Sequence, residues 1–184
     1  NKLKIVLAEE NGGPAKARNS ALHLASGSIV IIIGDDIEID EDFVERHYNW
    51  HCLHSGEGDA VLGYVTWPEA INPSNFMRWL YSGGRHFFFR YADFRSGHTI
   101  DCQNFYTCNV AIKRSLLFQT TLFDESFPYA SHEDLELGER LRLKGMSLYF
   151  EKTICGYHHH FLHIAGIARR VYLMGYSAKI FWEK

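Results

Sequence analysis

The hydrophobic pattern opens on residues 4–8, whose length and composition suit a short strand. Asn11-Gly12-Gly13 follows as a turn signal, and Pro14 stands at the natural first position of a helix. Over residues 14–26, Ala17, Ala21, Leu22 and Ala25 recur at helical spacing, and Gly27 suits the stop. Residues 29–33 are continuous and β-branched, the pattern of a strand buried on both faces of a parallel sheet. Strand, helix, strand makes a βαβ unit, which puts the chain in the α/β class.

Further on, Asp40 suits an N-cap, and Phe43, Val44, His47 and Trp50 would share one face of the helix it opens. A strand is expected over 60–66, and a short helix over 73–82 with Phe76, Met77 and Leu80 inward. Residues 83–101 are polar, glycine-containing and rich in aromatics and arginine, and read as a long loop or lid. A strand over 105–112, a helix over 132–144 closed by Gly145 and a strand over 147–151 follow. An amphipathic helix from about residue 162 to the end completes the series. No repeat, low-complexity tract or linker interrupts it, so residues 1–184 are expected to form a single domain.

Composition narrows the function classes. With 46% hydrophobic and 22% charged residues the chain has the make-up of a soluble globular domain. A net charge of -3 gives no basic footprint, so no nucleic-acid partner is expected. The longest strongly apolar run, residues 28–33, is far too short to cross a bilayer, and the first residues lack a signal-peptide pattern. Cys52, Cys102, Cys108 and Cys155 show no CxxC spacing and read as reduced thiols of a cytoplasmic protein. Peripheral contact with a membrane, at its inner face, stays open.

Four groups of residues carry candidate chemistry. Asp35 and Asp36 end the most buried strand, where open α/β sheets bind ligands, and could hold a divalent cation against a diphosphate. Gly34-Asp35-Asp36 is also good turn chemistry. Glu133 and Asp134 open a helix, where either could serve as a general base. The preceding Ser131-His132 equally matches a capping box, and first-turn acids favour the helix dipole. In an extended segment His158 and His160 share one face and His159 takes the other, so one of them could complete a metal site with Asp36. Zinc is not indicated, because no second ligand set has zinc spacing. Arg18 and Asn19 sit on the first helix, either facing a phosphate or on an ordinary solvated face.

Taken in order, these pieces resemble the inverting glycosyltransferases of family 2, which have the A-type (GT-A) fold. The segment Asn11-Gly12-Gly13-Pro14-Ala15-Lys16-Ala17-Arg18-Asn19-Ser20-Ala21 is similar to the family's glycine turn, Ala-Arg-Asn and small-residue helix. Gly34-Asp35-Asp36 stands at the place of its Asp-x-Asp motif. Thr107-Cys108-Asn109-Val110-Ala111-Ile112-Lys113-Arg114 resembles its Asn-containing strand, and Phe123-Asp124-Glu125 its Phe-Asp-Glu turn. His132-Glu133-Asp134-Leu135 resembles its Glu-Asp helix, and Tyr157-His158 its late metal-site histidine.

The resemblance implies a GT-A, Rossmann-like sheet, mixed but mostly parallel and flanked by helices. It implies transfer of a sugar from a nucleoside-diphosphate sugar to an acceptor hydroxyl with inversion, assisted by Mg²⁺ or Mn²⁺. Asp134 would be the base, with Glu133 in reserve. Arg18, Asn19, Asp35 and Asp36 would bind the nucleotide sugar, and Asp36 and His158 the metal. Trp67 and Asn109 would face the acceptor, which could be a glycan, a lipid-linked group or a protein. Gly34 replaces the first Asp of the motif, which moves the metal assignment to Asp36, with Asp35 in support. The family's first strand and helix, which hold the base, would precede Asn1, so the domain is expected to be N-terminally incomplete. The Gln-x-x-Arg-Trp pattern of processive relatives is missing from the final helix, which points to non-processive transfer. Two other readings remain: a non-catalytic carbohydrate- or nucleotide-binding remnant, and a metal-dependent phosphoester hydrolase.

Overall fold

The computed structural model describes residues 3–82 and 89–183. Six strands form one mixed sheet: β1 (Ile29–Ile33), β2 (Ile37–Ile39), β3 (Asp59–Thr66), β4 (His98–Ile100), β5 (Asn109–Lys113) and β6 (Ser147–His158). The order across the sheet is β1-β5-β3-β6-β2, with β4 also pairing β6. Among the described residues six α-helices accompany it: α1 (Gly13–Leu24), α2 (Phe43–Leu53), α3 (Asn75–Ser82), α4 (Arg114–Leu117), α5 (Glu133–Leu143) and α6 (Ile164–Trp182).

The α/β class and the mixed sheet match the expectation, but the share of parallel pairing is smaller. Among the described residues only β3 and β6 run parallel; β1–β5, β3–β5, β2–β6 and β4–β6 are antiparallel. β1 therefore lies antiparallel to its neighbour β5, and both of its faces are covered, though unequally. Val30 and Ile32 are buried in the main core with Ala15 and Leu22 of α1 and Leu137 and Leu141 of α5. Ile29 and Ile31 pack half-buried against Phe43 and Trp50 of α2 on the other face. A smaller cluster joins Met77 and Leu80 of α3 to Ile167 of α6 and to Leu162 just before it.

Residues 3–8 are not a strand. They are irregular, and Leu3, Ile5 and Leu7 are exposed. No described strand lies beside them to take up their backbone hydrogen bonds, and an unpaired extended segment gains nothing from strand geometry. Part of the expected loop over 83–101 falls outside the described residues. Its described part holds a 3-10 turn at Tyr91–Asp93 and the whole of β4. β5 starts at Asn109 rather than 105, because a 3-10 turn at Cys102–Asn104 takes up the preceding chain.

The largest departure is β6, which runs to His158 instead of ending at 151. Its pairing with β3 shifts register. Gly63 faces Glu151, but Tyr64 faces Cys155, so Lys152, Thr153 and Ile154 bulge out. Side chains take up the bulge's backbone groups. Ser96 Oγ accepts from Lys152 N, and Glu151 Oε1 accepts from Thr153 N. The decisive side chain is Asn109, which is fully buried. Its Nδ2 donates to the carbonyls of Tyr64 and Ile154, each at 3.1 Å. Its Oδ1 lies 3.0 Å from His47 Nε2, which must be the donor because Oδ1 only accepts. Burial pushes the His47 ring down to about 4, which keeps it neutral. Gly63 leaves room for this network, since a Cβ there would come within 2.3 Å of Asn109 Nδ2 and 2.6 Å of the Ile154 carbonyl.

Asn109→Ala would strand two buried carbonyls and the His47 N–H. The expected cost is roughly 3 kcal/mol or more, on the order of 10 °C in melting temperature. Thermal melting of the unliganded protein checks this. An unchanged melt would remove Asn109 from the structural role.

Candidate active site

The sheet delivers two loops to one end. The β1–β5 register pairs Ile33 with Asn109, and Gly34 N donates to Cys108 O at 3.3 Å. That sets the turn carrying Asp35 and Asp36 beside Thr107 and Cys108. The bulge then lets the end of β6 reach β2, with Ile37 opposite His158. His159 N donates to the Asp36 carbonyl at 2.9 Å, which fixes the two chains together.

The histidines alternate as strand geometry requires. His158 Nε2 is 2.9 Å from Asp36 Oδ2, and His160 Nδ1 is 3.7 Å from the same oxygen. His159 points away and bonds Glu38. One ligand atom from each of Asp36, His158 and His160 lies within 4.8 Å of the other two. Burial alone would raise the Asp36 carboxyl. The hydrogen bond and charge of His158 outweigh it and hold the group below its ordinary value. A carboxylate with two imidazoles is a donor set that fits a divalent transition ion such as Mn²⁺. Mg²⁺ prefers oxygen ligands.

The second loop opens α5. His132 adopts a left-handed conformation, with φ 66°, and its side chain makes no cap bond. The capping box does not form, because Ser131 Oγ bonds His132 Nδ1 at 2.6 Å. Glu133 is 2% exposed, and its Oε1 takes Arg18 Nη1 at 2.6 Å. Among the described residues its Oε2 has no partner. Arg18 also lies over the Phe123 ring, 5.3 Å from its centre. Asp134 lines the cleft beside this pair. Burial, and after it the Glu133 carboxylate, push the Asp134 carboxyl up to about 7, against the pull of Arg18.

Both loops border one cleft of about 500 Å³, which brings together Arg18, Asp35, Asp36, Glu133, Asp134 and His158. Asn19 is not among its lining residues. It is buried with its amide bonded to the backbone of Phe123 and to Glu125, so it holds the Phe-Asp-Glu turn behind the cleft. Nor are Asn109, committed to the β6 bulge, and Trp67, which packs by Met77, Leu80 and Leu162. Sequence reasoning missed the cleft residues Arg90, Tyr106 and Arg170. Tyr106 donates to Asn104 Oδ1 at 2.7 Å. Their only signal was position, near a motif or on the last helix.

Solved structures share this architecture at low identity. TarS from S. aureus, in complex with UDP-GlcNAc, matches with a TM-score of 0.61 and 17% identity over 90% of this chain and 44% of its own. The mannosyltransferase PcManGT from Pyrobaculum calidifontis, in complex with GDP-Man and Mn²⁺, matches with 0.59 and 19% over 91% and 42%. GalNAc-T7, with UDP, GalNAc and Mn²⁺, matches with 0.55 and 12% over 94% and 37%. The chain thus spans less than half the length of each of these proteins, and the likeness is one of fold. A search of curated proteins returns no match. The sequence model for glycosyl transferase family 2 matches residues 1–117, well over half of the chain, and the chain therefore belongs to that family.

Proposed function

We propose that this protein transfers a sugar from a nucleoside-diphosphate sugar to an acceptor hydroxyl, with inversion and without processive polymerisation. The observation that carries the reading is the single cleft. It sets a carboxyl with a proton affinity near neutrality, Asp134, in the same space as the Asp36–His158–His160 cluster. The nucleotide sugars bound by TarS and PcManGT support the donor class.

In this reading Asp134 accepts the proton of the acceptor hydroxyl as its oxygen attacks the anomeric carbon. The bond from that carbon to the diphosphate oxygen breaks on the opposite side, and this in-line displacement inverts the centre. A base works best when its pKa lies near the working pH, which is where burial puts Asp134. Glu133 stays the partner of Arg18 and holds that guanidinium at the cleft wall. Asp36, His158 and His160 would hold the divalent ion, with Asp35 beside them. Bound there, it supplies Lewis-acid neutralisation of the leaving diphosphate. Two imidazoles favour Mn²⁺ over Mg²⁺.

Two outcomes follow. Turnover with an active UDP- or GDP-sugar should rise with pH along a limb centred near 7, as Asp134 loses its proton. Asp134→Asn should keep the fold and donor binding and lower turnover by at least about a hundredfold. Turnover and melting temperature measured together decide this, and near-normal turnover in the variant would remove Asp134 as the base. For the metal, calorimetry with Mn²⁺ and UDP should find affinity weakened in His158→Ala and His160→Ala and nearly unchanged in His159→Ala. A larger loss at His159 would put the ion on the other face of β6.

A further inference from the structure

α6 leaves most of its surface bare. Among its 19 residues, all of them described, only Ile167 and Ser177 are buried. Ile167 joins the α3 cluster, and Ser177 Oγ donates to the Tyr129 carbonyl at 3.5 Å. On the other side Ile164, Tyr172, Tyr176, Lys179 and Trp182 recur at steps of eight, four and three residues, which sets them on one stripe along the helix. All five are exposed, Tyr172 at 67% and Trp182 at 81%. Arg169, three residues before Tyr172, is exposed on the flank of this stripe.

The charge of the helix runs against that of the chain. Residues 164–182 hold Arg169, Arg170 and Lys179 and no acidic residue, in a protein of net charge -3. The next acid is Glu183, 3.7 Å from Lys179, and both partners of that pair are exposed, so the contact is weak. Tyr and Trp rings have an apolar body and a polar edge. Beside basic side chains they suit the headgroup layer of a bilayer, where the ring meets the acyl boundary and the cation meets phosphate. A second copy of this chain is a poorer occupant, because two such stripes face to face would set Arg169 and Lys179 against like charges.

We propose that the outward stripe of α6 docks on the surface of an anionic lipid bilayer, with the helix lying along the headgroups. No described helix is long and apolar enough to cross a membrane, so the contact is one of surface. Arg170 and Met174 of the same helix line the cleft, and docking therefore holds the cleft beside the headgroups. The inference stands on α6 and does not need the glycosyl-transfer reading.

The test is co-sedimentation of the whole chain with vesicles of phosphatidylcholine, alone or with about one third phosphatidylglycerol. The parent should bind the anionic vesicles at least about tenfold more strongly than the neutral ones and release them as salt is raised. The double variant Arg169→Gln, Lys179→Gln should bind about tenfold more weakly or worse. Trp182→Ala should weaken binding severalfold and keep the salt dependence. The double variant Lys16→Gln, Lys144→Gln removes the same charge from exposed positions elsewhere and should bind like the parent. All three variants should melt like the parent. Equal binding to both kinds of vesicle, binding to neither, or unchanged binding in the α6 double variant would overturn the assignment. So would a parent dimer in light scattering that the α6 double variant dissolves, which would give the stripe to a second copy. Sugar transfer enters none of these outcomes, so a failure of the functional reading would show separately.

Discussion

The structure turns on the buried amide of Asn109. A sheet can change the aim of a strand only by breaking its ladder, and a broken ladder leaves carbonyls without partners. β6 breaks its ladder with β3 at Lys152, Thr153 and Ile154. Asn109 takes up two of the carbonyls at the break, Tyr64 O and Ile154 O, and is held in turn by His47. Gly63 leaves the space for it. With the break sealed, the end of β6 pairs with β2, and His158 arrives beside Asp36. The candidate metal cluster is thus a consequence of how the core satisfies its own polar groups.

The acid end of the cleft follows a similar logic. Glu133 is buried against Arg18, and that pair sets the electrostatic surroundings of Asp134. Neighbouring residues of α1 divide the labour. Asn19 anchors the turn at Phe123 and Glu125, while Arg18, one residue earlier, faces the cleft. A polar motif can therefore combine one residue that meets the ligand with one that holds the wall behind it.

Much of this was legible in the sequence, and the failures have identifiable causes. β1, α1, α2 and α5 were readable because their apolar periodicity is strong and their ends carry turn residues. The His158 and His160 pairing was readable because strand alternation is geometric. The end of β6 was not, since Lys152-Thr153 looks like a strand end and a bulge has no periodic signature. For the same reason Asn109 read as an acceptor contact. Its true partners are carbonyls 45 residues away in either direction, which only the fold brings together. The stretch over 4–8 failed because a strand needs a neighbour as well as a pattern. Arg170 escaped notice because nothing in a helix sequence tells which side faces a cleft.

The central claim is that the redirected end of β6 supplies histidine nitrogen to a metal held by Asp36. Electron spin-echo envelope modulation of Mn²⁺ bound together with UDP reads this directly. The account predicts nitrogen modulation from imidazole, reduced in His158→Ala and absent when His160 is also replaced by Ala. Mn²⁺ bound tightly with UDP but showing no nitrogen modulation would contradict it.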